Sequence, residues 1–176
     1  MIPQIDKELL TLELMKRVSG EVEICYKNEC ASSNSECMQL GIQLKNKTVV
    51  YVADHQTSGR GRRGNAWHSP AGKNIYCSIG LKKTIPAQYL GLVSLQTGVS
   101  IASVLRDMGF DGVDLKWPND LLCAGRKLGG ILIETRVLEN DEYFLVIGFG
   151  LNVNQDMSQL DELVKQQITQ PATSLI

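Results

Sequence analysis

Between His55 and Arg106 the chain carries no aspartate or glutamate, although it has nineteen acids in all. Seven lysines or arginines fall in that acid-free stretch, while the net charge of the whole chain is only −1. A near-neutral protein with one basic, acid-free tract has a local anion site rather than a basic surface. The net charge therefore gives no general pull toward nucleic acid or an anionic membrane. Aromatic residues are scarce at 6%. Near the basic tract only Trp67 offers a face on which a base could stack, which weakens an RNA-contacting reading of the same loop.

Histidine is nearly missing, with two residues, and the five cysteines (Cys25, Cys30, Cys37, Cys77, Cys123) form no Cys-x-x-Cys pair. An odd, scattered set argues against both a zinc cluster and a disulfide framework. Reduced thiols in a cytoplasmic protein are the simplest expectation. The N-terminus lacks the basic and apolar regions of a signal peptide. No apolar run approaches the length of a membrane span. The reading is thus a protein with no membrane and no nucleic-acid partner.

What is present fits one domain, residues 1–176, large enough to bury a core. Residues 5–18 read as an amphipathic helix with Leu9, Leu10, Leu12 and Met15 apolar. Strands are expected over 21–27, 48–53, 74–81, 113–117, 121–123, 128–138 and 143–151. A helix over 33–40 enters through a Ser/Asn-rich cap, and a longer one runs from Pro86 to near Gly109. Residues 55–73 show no apolar period and read as a loop. Turns at 124–126 and 139–142 join hairpins, and residues 157–165 read as a helical tail. The order has few regular βαβ crossovers. It predicts an α+β fold: a mixed, mostly antiparallel sheet with helices packed on one side. About twenty residues precede the first strand, too few for a helix-turn-helix module.

Two segments carry the chemistry. The first is Gln56-Thr57-Ser58-Gly59-Arg60-Gly61-Arg62-Arg63-Gly64. It matches the Gly-x-Gly-x-x-Gly spelling of dinucleotide sites. That reading fails, because no acid appears before Asp107 and a strand follows the loop where a helix is needed. Glycines let the backbone approach a ligand, and arginines grip phosphate or carboxylate oxygens in pairs. The alternative is a basic surface loop without a ligand. The second segment is Lys116-Trp117-Pro118-Asn119-Asp120, followed by Arg126-Lys127-Leu128-Gly129-Gly130. Pro118 fixes the turn that presents Asn119 and Asp120. A carboxylate beside an amide can hold Mg²⁺ bridged to nucleotide phosphates. The alternative is an Asn-Asp turn with Trp117 in the core. Lys127 can reach negative charge developing on phosphate or acyl oxygens, or it is a solvated turn charge. Gly148 and Gly150, two apart, leave one face of a strand bare, so that a flat ring can lie against it. The alternative there is a bulge. His68 reads as structural, and nothing marks a cysteine as a nucleophile.

These motifs, in this order, resemble biotin protein ligases. Gln-x-x-Gly-Arg-Gly-Arg-x-Gly followed by Trp-x-Ser-Pro-x-Gly-x-Asn-x-Tyr is similar to that family's biotin loop. Lys-Trp-Pro-Asn-Asp, Lys-Leu-x-Gly-Ile-Leu-x-Glu, Gly-x-Gly-x-Asn-x-Asn and the closing Ala172-Thr173-Ser174-Leu175 are similar to its later segments. The resemblance covers about Ser32 to the C-terminus. It implies the biotin/lipoate ligase fold, which is like that of class II aminoacyl-tRNA synthetases. It also implies a two-step reaction: biotin and Mg·ATP give biotinyl-5′-AMP, and a lysine of a biotin carboxyl carrier protein then takes the biotinyl group.

The implied residues follow from motif position. Arg60, Arg62 and Lys127 are catalytic. Ser32, Ser33, Gln56, Gly59, Arg60, Trp67, Lys127, Gly129, Gly130, Gly148 and Gly150 bind biotin. Arg62, Arg63, Trp67, Asn119 and Asn152 bind ATP or the adenylate, and Asp120 contacts Mg²⁺. Biotin and ATP are substrates, the carrier protein of a biotin-dependent carboxylase is the partner, and a homodimer stays open. The chain departs from the family pattern in two places. Ala31-Ser32-Ser33-Asn34 stands where the family usually has Asp-Ser-Thr-Asn, which keeps a hydroxyl but removes a carboxylate. The family continues past Ala-Thr-Ser-Leu into helices and a small SH3-like barrel, whereas this sequence ends at Ile176. Two alternatives follow: a biotin-binding module with little ligase activity, and a lipoate or octanoyl ligase.

Overall fold

The computed structural model describes residues 8–9, 12–13, 16, 20–44, 47–139, 141–160 and 170–176. Among them seven strands form one sheet: β1 (Val22–Cys30), β2 (Thr48–Gln56), β3 (Asn74–Thr84), β4 (Val113–Lys116), β5 (Asp120–Cys123), β6 (Arg126–Val137) and β7 (Glu142–Asn152). The order is β1-β2-β3-β7-β6-β5-β4. Only β1 and β2 run parallel, joined across helix α1 (Ser33–Gln43); every other pair is antiparallel. The mixed, mostly antiparallel sheet is therefore as expected. The strands run longer than their apolar cores, because polar ends such as Glu29, Cys30 and His55, Gln56 still complete the ladder.

Strand β2 is the interior strand of the parallel pair, and its apolar run Val49–Ala53 is buried on both faces. Strands β3 and β7 pair over eleven positions and form the spine. The β5–β6 hairpin turns on Ala124 and Gly125, both at positive φ (49° and 72°), as a two-residue hairpin turn of the primed type requires.

The two helices do not share a side of the sheet, contrary to expectation. Helix α1 lies on the face bearing Val49, Tyr51, Phe144 and Val146, and a side chain at its Gly41 would overlap the Phe144 ring. Helix α2 (Leu90–Asp107) lies on the other face, where Gly98 sits close to Leu115 and Ile131 and where Ala102 and Leu105 join Val113, Leu121 and Leu151. Strand alternation is the reason: in β7 Phe144, Val146 and Gly148 face α1, while Phe149 and Leu151 join the clusters on the other face. Each helix covers a different half, so α1's face is left open over β6 and the end of β7. That opening becomes the cleft described below.

Two further expectations change. The stretch Ala87–Asp107 is long and apolar enough, by length and composition alone, to span a membrane, although its polar interruptions hid it as a run. In the fold its Gly98, Ala102 and Leu105 pack on the sheet, while Leu92, Leu95 and Val99 are exposed. Helix α1 does start after Ser32, but no serine or asparagine caps it. Instead Gln56 Oε1, from the end of β2, accepts from the Ser33 amide at 2.8 Å. The helices expected at 5–18 and 157–165 lie mostly outside the described residues. Of the former, Leu9 and Leu12 are exposed; of the latter, Met157–Gln159 forms a short 3-10 turn.

Candidate functional site

On the open face lies a cleft of about 450 Å³. Pairing of β6 with β7 puts Gly130 opposite Gly150, and Leu132 opposite Gly148, on this face. These bare positions form the floor. A side chain at Gly148 would overlap Asn34, and one at Gly150 would stand 2.5–2.9 Å from the Trp67 indole. The flat ring anticipated over these glycines is thus the protein's own Trp67. Its Nε1 is buried and has no hydrogen-bond partner among the described residues.

One end of the cleft is a buried polar network. Ser32, Ser33 and Asn34 are each 5% exposed. The Ser78 hydroxyl reaches Ser33 Oγ at 2.8 Å and Asn34 Oδ1 at 2.6 Å. Gln56 takes the Ser33 amide and donates to Ser69 Oγ at 2.9 Å. These groups can read both donors and acceptors of a small polar ring. The glycine-arginine loop closes over this end. Trp67 N–H bonds Gly59 O at 2.9 Å, and an isolated bridge pairs Arg60 with Ala66. Arg63 occupies the left-handed region at φ 57°, a conformation that favours glycine and costs a side chain about 1 kcal/mol. Arg60 Nη2 donates to Ser35 Oγ and Glu134 Oε2, both at 2.9 Å. Arg62 Nη1 lies 3.4 Å from Asn119 Oδ1, which ties the loop to the far end.

That far end rests on a cis Trp117–Pro118 bond. Trp117 is 80% exposed and is not a core residue. Asn119 is fixed by two bonds to the backbone of Ile131, at 2.9 and 3.0 Å. Lys127 Nζ pairs with Asp120 Oδ1 at 2.8 Å and sits 5.3 Å from the Trp67 ring centroid. Gln170 Nε2 donates to Asp120 Oδ2 at 2.8 Å, and Lys116 Nζ donates to Gln170 Oε1. Asn152 is buried, with its amide on Thr173 O at 3.0 Å.

Most of the sequence-derived residues thus meet. Ser32, Ser33, Gln56, Arg60, Arg62, Arg63, Trp67, Asn119, Asp120, Lys127, Gly130, Gly148, Gly150 and Asn152 all line the cleft. Gly59 and Gly129 do not. Gly59 packs under the loop against Trp67 O and Ser69, and Gly129 faces Leu121 and Leu151 on the α2 side. Sequence reading missed Asn34, Glu134, Ser78 and Gln170. Glu134 ends a motif already noted, and Asn34 follows Ser33 directly; Ser78 and Gln170 carry no local signal.

The donor set does not form a resident metal site. Both Asp120 oxygens and Asn119 Oδ1 already have partners, and no group of three His, Cys, Asp or Glu occurs among the described residues. Nor is there a thiolate nucleophile at Cys30, Cys37 or Cys77. Burial raises Cys30 to about 11 and Cys37 and Cys77 to about 12.

The fold and cleft therefore define a class: an open sheet face whose cleft joins a buried polar network at one end to Arg60, Arg62 and Lys127, a lining suited to anionic groups. The chain belongs to the biotin/lipoate A/B protein ligase family, whose model matches residues 29–152. The bifunctional ligase/repressor BirA of Escherichia coli is 44% identical over 117 residues, which is 66% of this chain and 36% of that protein. A biotin–[acetyl-CoA-carboxylase] ligase of Mycobacterium tuberculosis is 34% identical over 164 residues, 90% of this chain and 60% of the relative. The biotin protein ligase of Aquifex aeolicus, solved with biotin and ATP, superposes with a TM-score of 0.65 at 30% identity. That match covers 87% of this chain and 59% of the other. The chain thus spans between about a third and three fifths of these relatives' length.

Proposed function

We propose that this chain is the catalytic core of an ATP-dependent biotin–protein ligase. The observation that carries the reading is one cleft that brings the polar groups of Ser33, Asn34 and Gln56 together with Arg60, Arg62 and Lys127. In the first step a biotin carboxylate oxygen attacks the α-phosphorus of ATP. The bond from that phosphorus to the bridging β-oxygen breaks, and pyrophosphate leaves with the electron pair. Two anions must approach, so the main barrier the site can lower is electrostatic repulsion. Arg60 and Arg62 screen it from the loop. Lys127 screens it from β6, held in position by Asp120. Trp67 gives a face for a ring, and Arg63, Asn119 and Asn152 line the nucleotide end.

In the second step an acceptor lysine amine attacks the acyl carbon. The acyl–phosphate bond breaks, AMP leaves and the amine loses a proton. No enzyme nucleophile is required, which suits the protonated thiols. Mg²⁺ fits as part of the Mg·ATP substrate, with at most one or two protein ligands. For Asp120 to be one of them it has to exchange Lys127 or Gln170. The acceptor on this reading is a biotin carboxyl carrier domain of a carboxylase.

The test is formation of biotinyl-AMP from biotin and α-labelled Mg·ATP by this chain. Product that lipoate cannot replace supports the reading. Product with lipoate in preference to biotin makes it a lipoate ligase, and biotin binding without product makes it a binding module.

A further inference from the structure

Glu134 closes the motif that begins at Lys127, yet the reaction above gives it no task. It lies on β6 on the same face as Gly130 and Leu132, beside the polar end of the cleft. Its Oε2 accepts two hydrogen bonds, from Asn34 Nδ2 at 2.8 Å and from Arg60 Nη2 at 2.9 Å. Asn34 has no room to move. It is 5% exposed, donates also to Leu132 O at 3.2 Å, accepts from Ser78 Oγ, and presses on the bare Cα of Gly148. The carboxylate is therefore aimed by the rigid floor of the cleft and not by solvent.

Arg60 shows what this aim is for. A guanidinium has five N–H groups, two of them on Nη2. Both Nη2 hydrogens are spent on the protein, one on Ser35 Oγ and one on Glu134. The three on Nε and Nη1 meet no partner among the described residues, and Arg60 lines the cleft. The side chain is thus held by one nitrogen while its other edge stays available.

We infer that Glu134, oriented by Asn34, is a positioning residue: it anchors Arg60 so that the Nε–Nη1 edge meets the substrate's carboxylate. Naming biotin as the bearer of that carboxylate rests on the proposed function; the anchoring does not. A free arginine on a glycine loop samples many poses, and fixing one in advance lowers the ordering cost of binding an anion. The pair is partly exposed, with side chains 45% and 33% accessible, so the effect is several-fold rather than absolute.

Two measurements on Glu134→Ala test it, with Glu134→Gln as a second variant that keeps the size of the side chain. Trypsin cleaves after Arg60, Arg62 and Arg63, and in both variants cleavage in this loop is expected to accelerate several-fold while cleavage at other sites keeps its wild-type rate. Binding of biotin is expected to weaken on the order of 5-fold, while binding of biotin methyl ester, which lacks the charge, stays unchanged. In an Arg60→Ala background the Glu134 substitution should add nothing. Unchanged loop cleavage, or equal weakening of acid and ester, overturns the inference. A wild-type chain that binds no biotin sinks the biotin reading instead, and the cleavage result still decides the anchor.

Discussion

Arg62 is the residue where function and stability separate most clearly. It is exposed, and among the described residues its side chain makes one hydrogen bond, the long one to Asn119. Removing it therefore touches no core packing, and stability should shift by no more than about 0.5 kcal/mol. A charge-assisted contact to a phosphate or acyl oxygen is stronger, so Arg62→Ala should release biotinyl-AMP faster by on the order of 10- to 100-fold. A thermal melt and an adenylate-retention assay on the same sample check both halves; unchanged retention removes Arg62 from the site. Gly148 behaves in the opposite way. A methyl group there meets Asn34, which three hydrogen bonds lock in place. Gly148→Ala should cost about 1–3 kcal/mol and lower the melting midpoint, because neither backbone nor amide can yield. A melting midpoint equal to wild type would show that the floor is softer than its contacts imply.

The elements show which parts of the fold were legible and which were not. Strand β2, the spine strands and both hairpins announced themselves through apolar runs bounded by glycine and charge. The arginine loop and the Lys-Trp-Pro-Asn-Asp turn were legible because each packs its chemistry into a few consecutive residues. Face assignments were not. Gly129 and Gly130 look equivalent in sequence, but the register of β6 on β7 sends one into the core and the other into the cleft. The same blindness put both helices on one side. Glu134 and Asn34 were missed for a related reason, since their bond joins positions 100 residues apart. The β5–β6 hairpin carries a testable local flaw. Ala124 sits at φ 49° in a turn where asparagine before glycine is preferred. Ala124→Asn makes Asn-Gly and should stabilise the chain by up to about 1 kcal/mol, read as a higher urea midpoint with an unchanged slope. A lower midpoint would mean that the turn is strained for another reason.

At the scale of the whole molecule, the two ends of the cleft depend on different parts of the chain. The polar end is built from the start of α1, the end of β2, Ser78 of β3 and the middle of β6. The other end is finished by residues 170–176. Lys127 N–H bonds Pro171 O at 2.7 Å, and Thr173 N–H returns to Lys127 O at 2.8 Å. Gln170 bridges Lys116 and Asp120, and Thr173 O holds Asn152. Leu175 then packs into the cluster beneath α2. The strap therefore fixes the backbone of Lys127, and through Gln170 the carboxylate that orients its ammonium. None of its hydrogen bonds reaches Ser33, Gln56, Asn34 or Glu134. Removing residues 170–176 should leave biotin binding within a few-fold of the full chain. Adenylate formation should fall on the order of 100-fold, the cost of displacing a catalytic group by about 1 Å. Calorimetry with biotin and an assay of biotinyl-AMP separate the two. Equal loss in both would show that the strap supports the fold as a whole, and intact adenylation would show that Lys127 keeps its place without it.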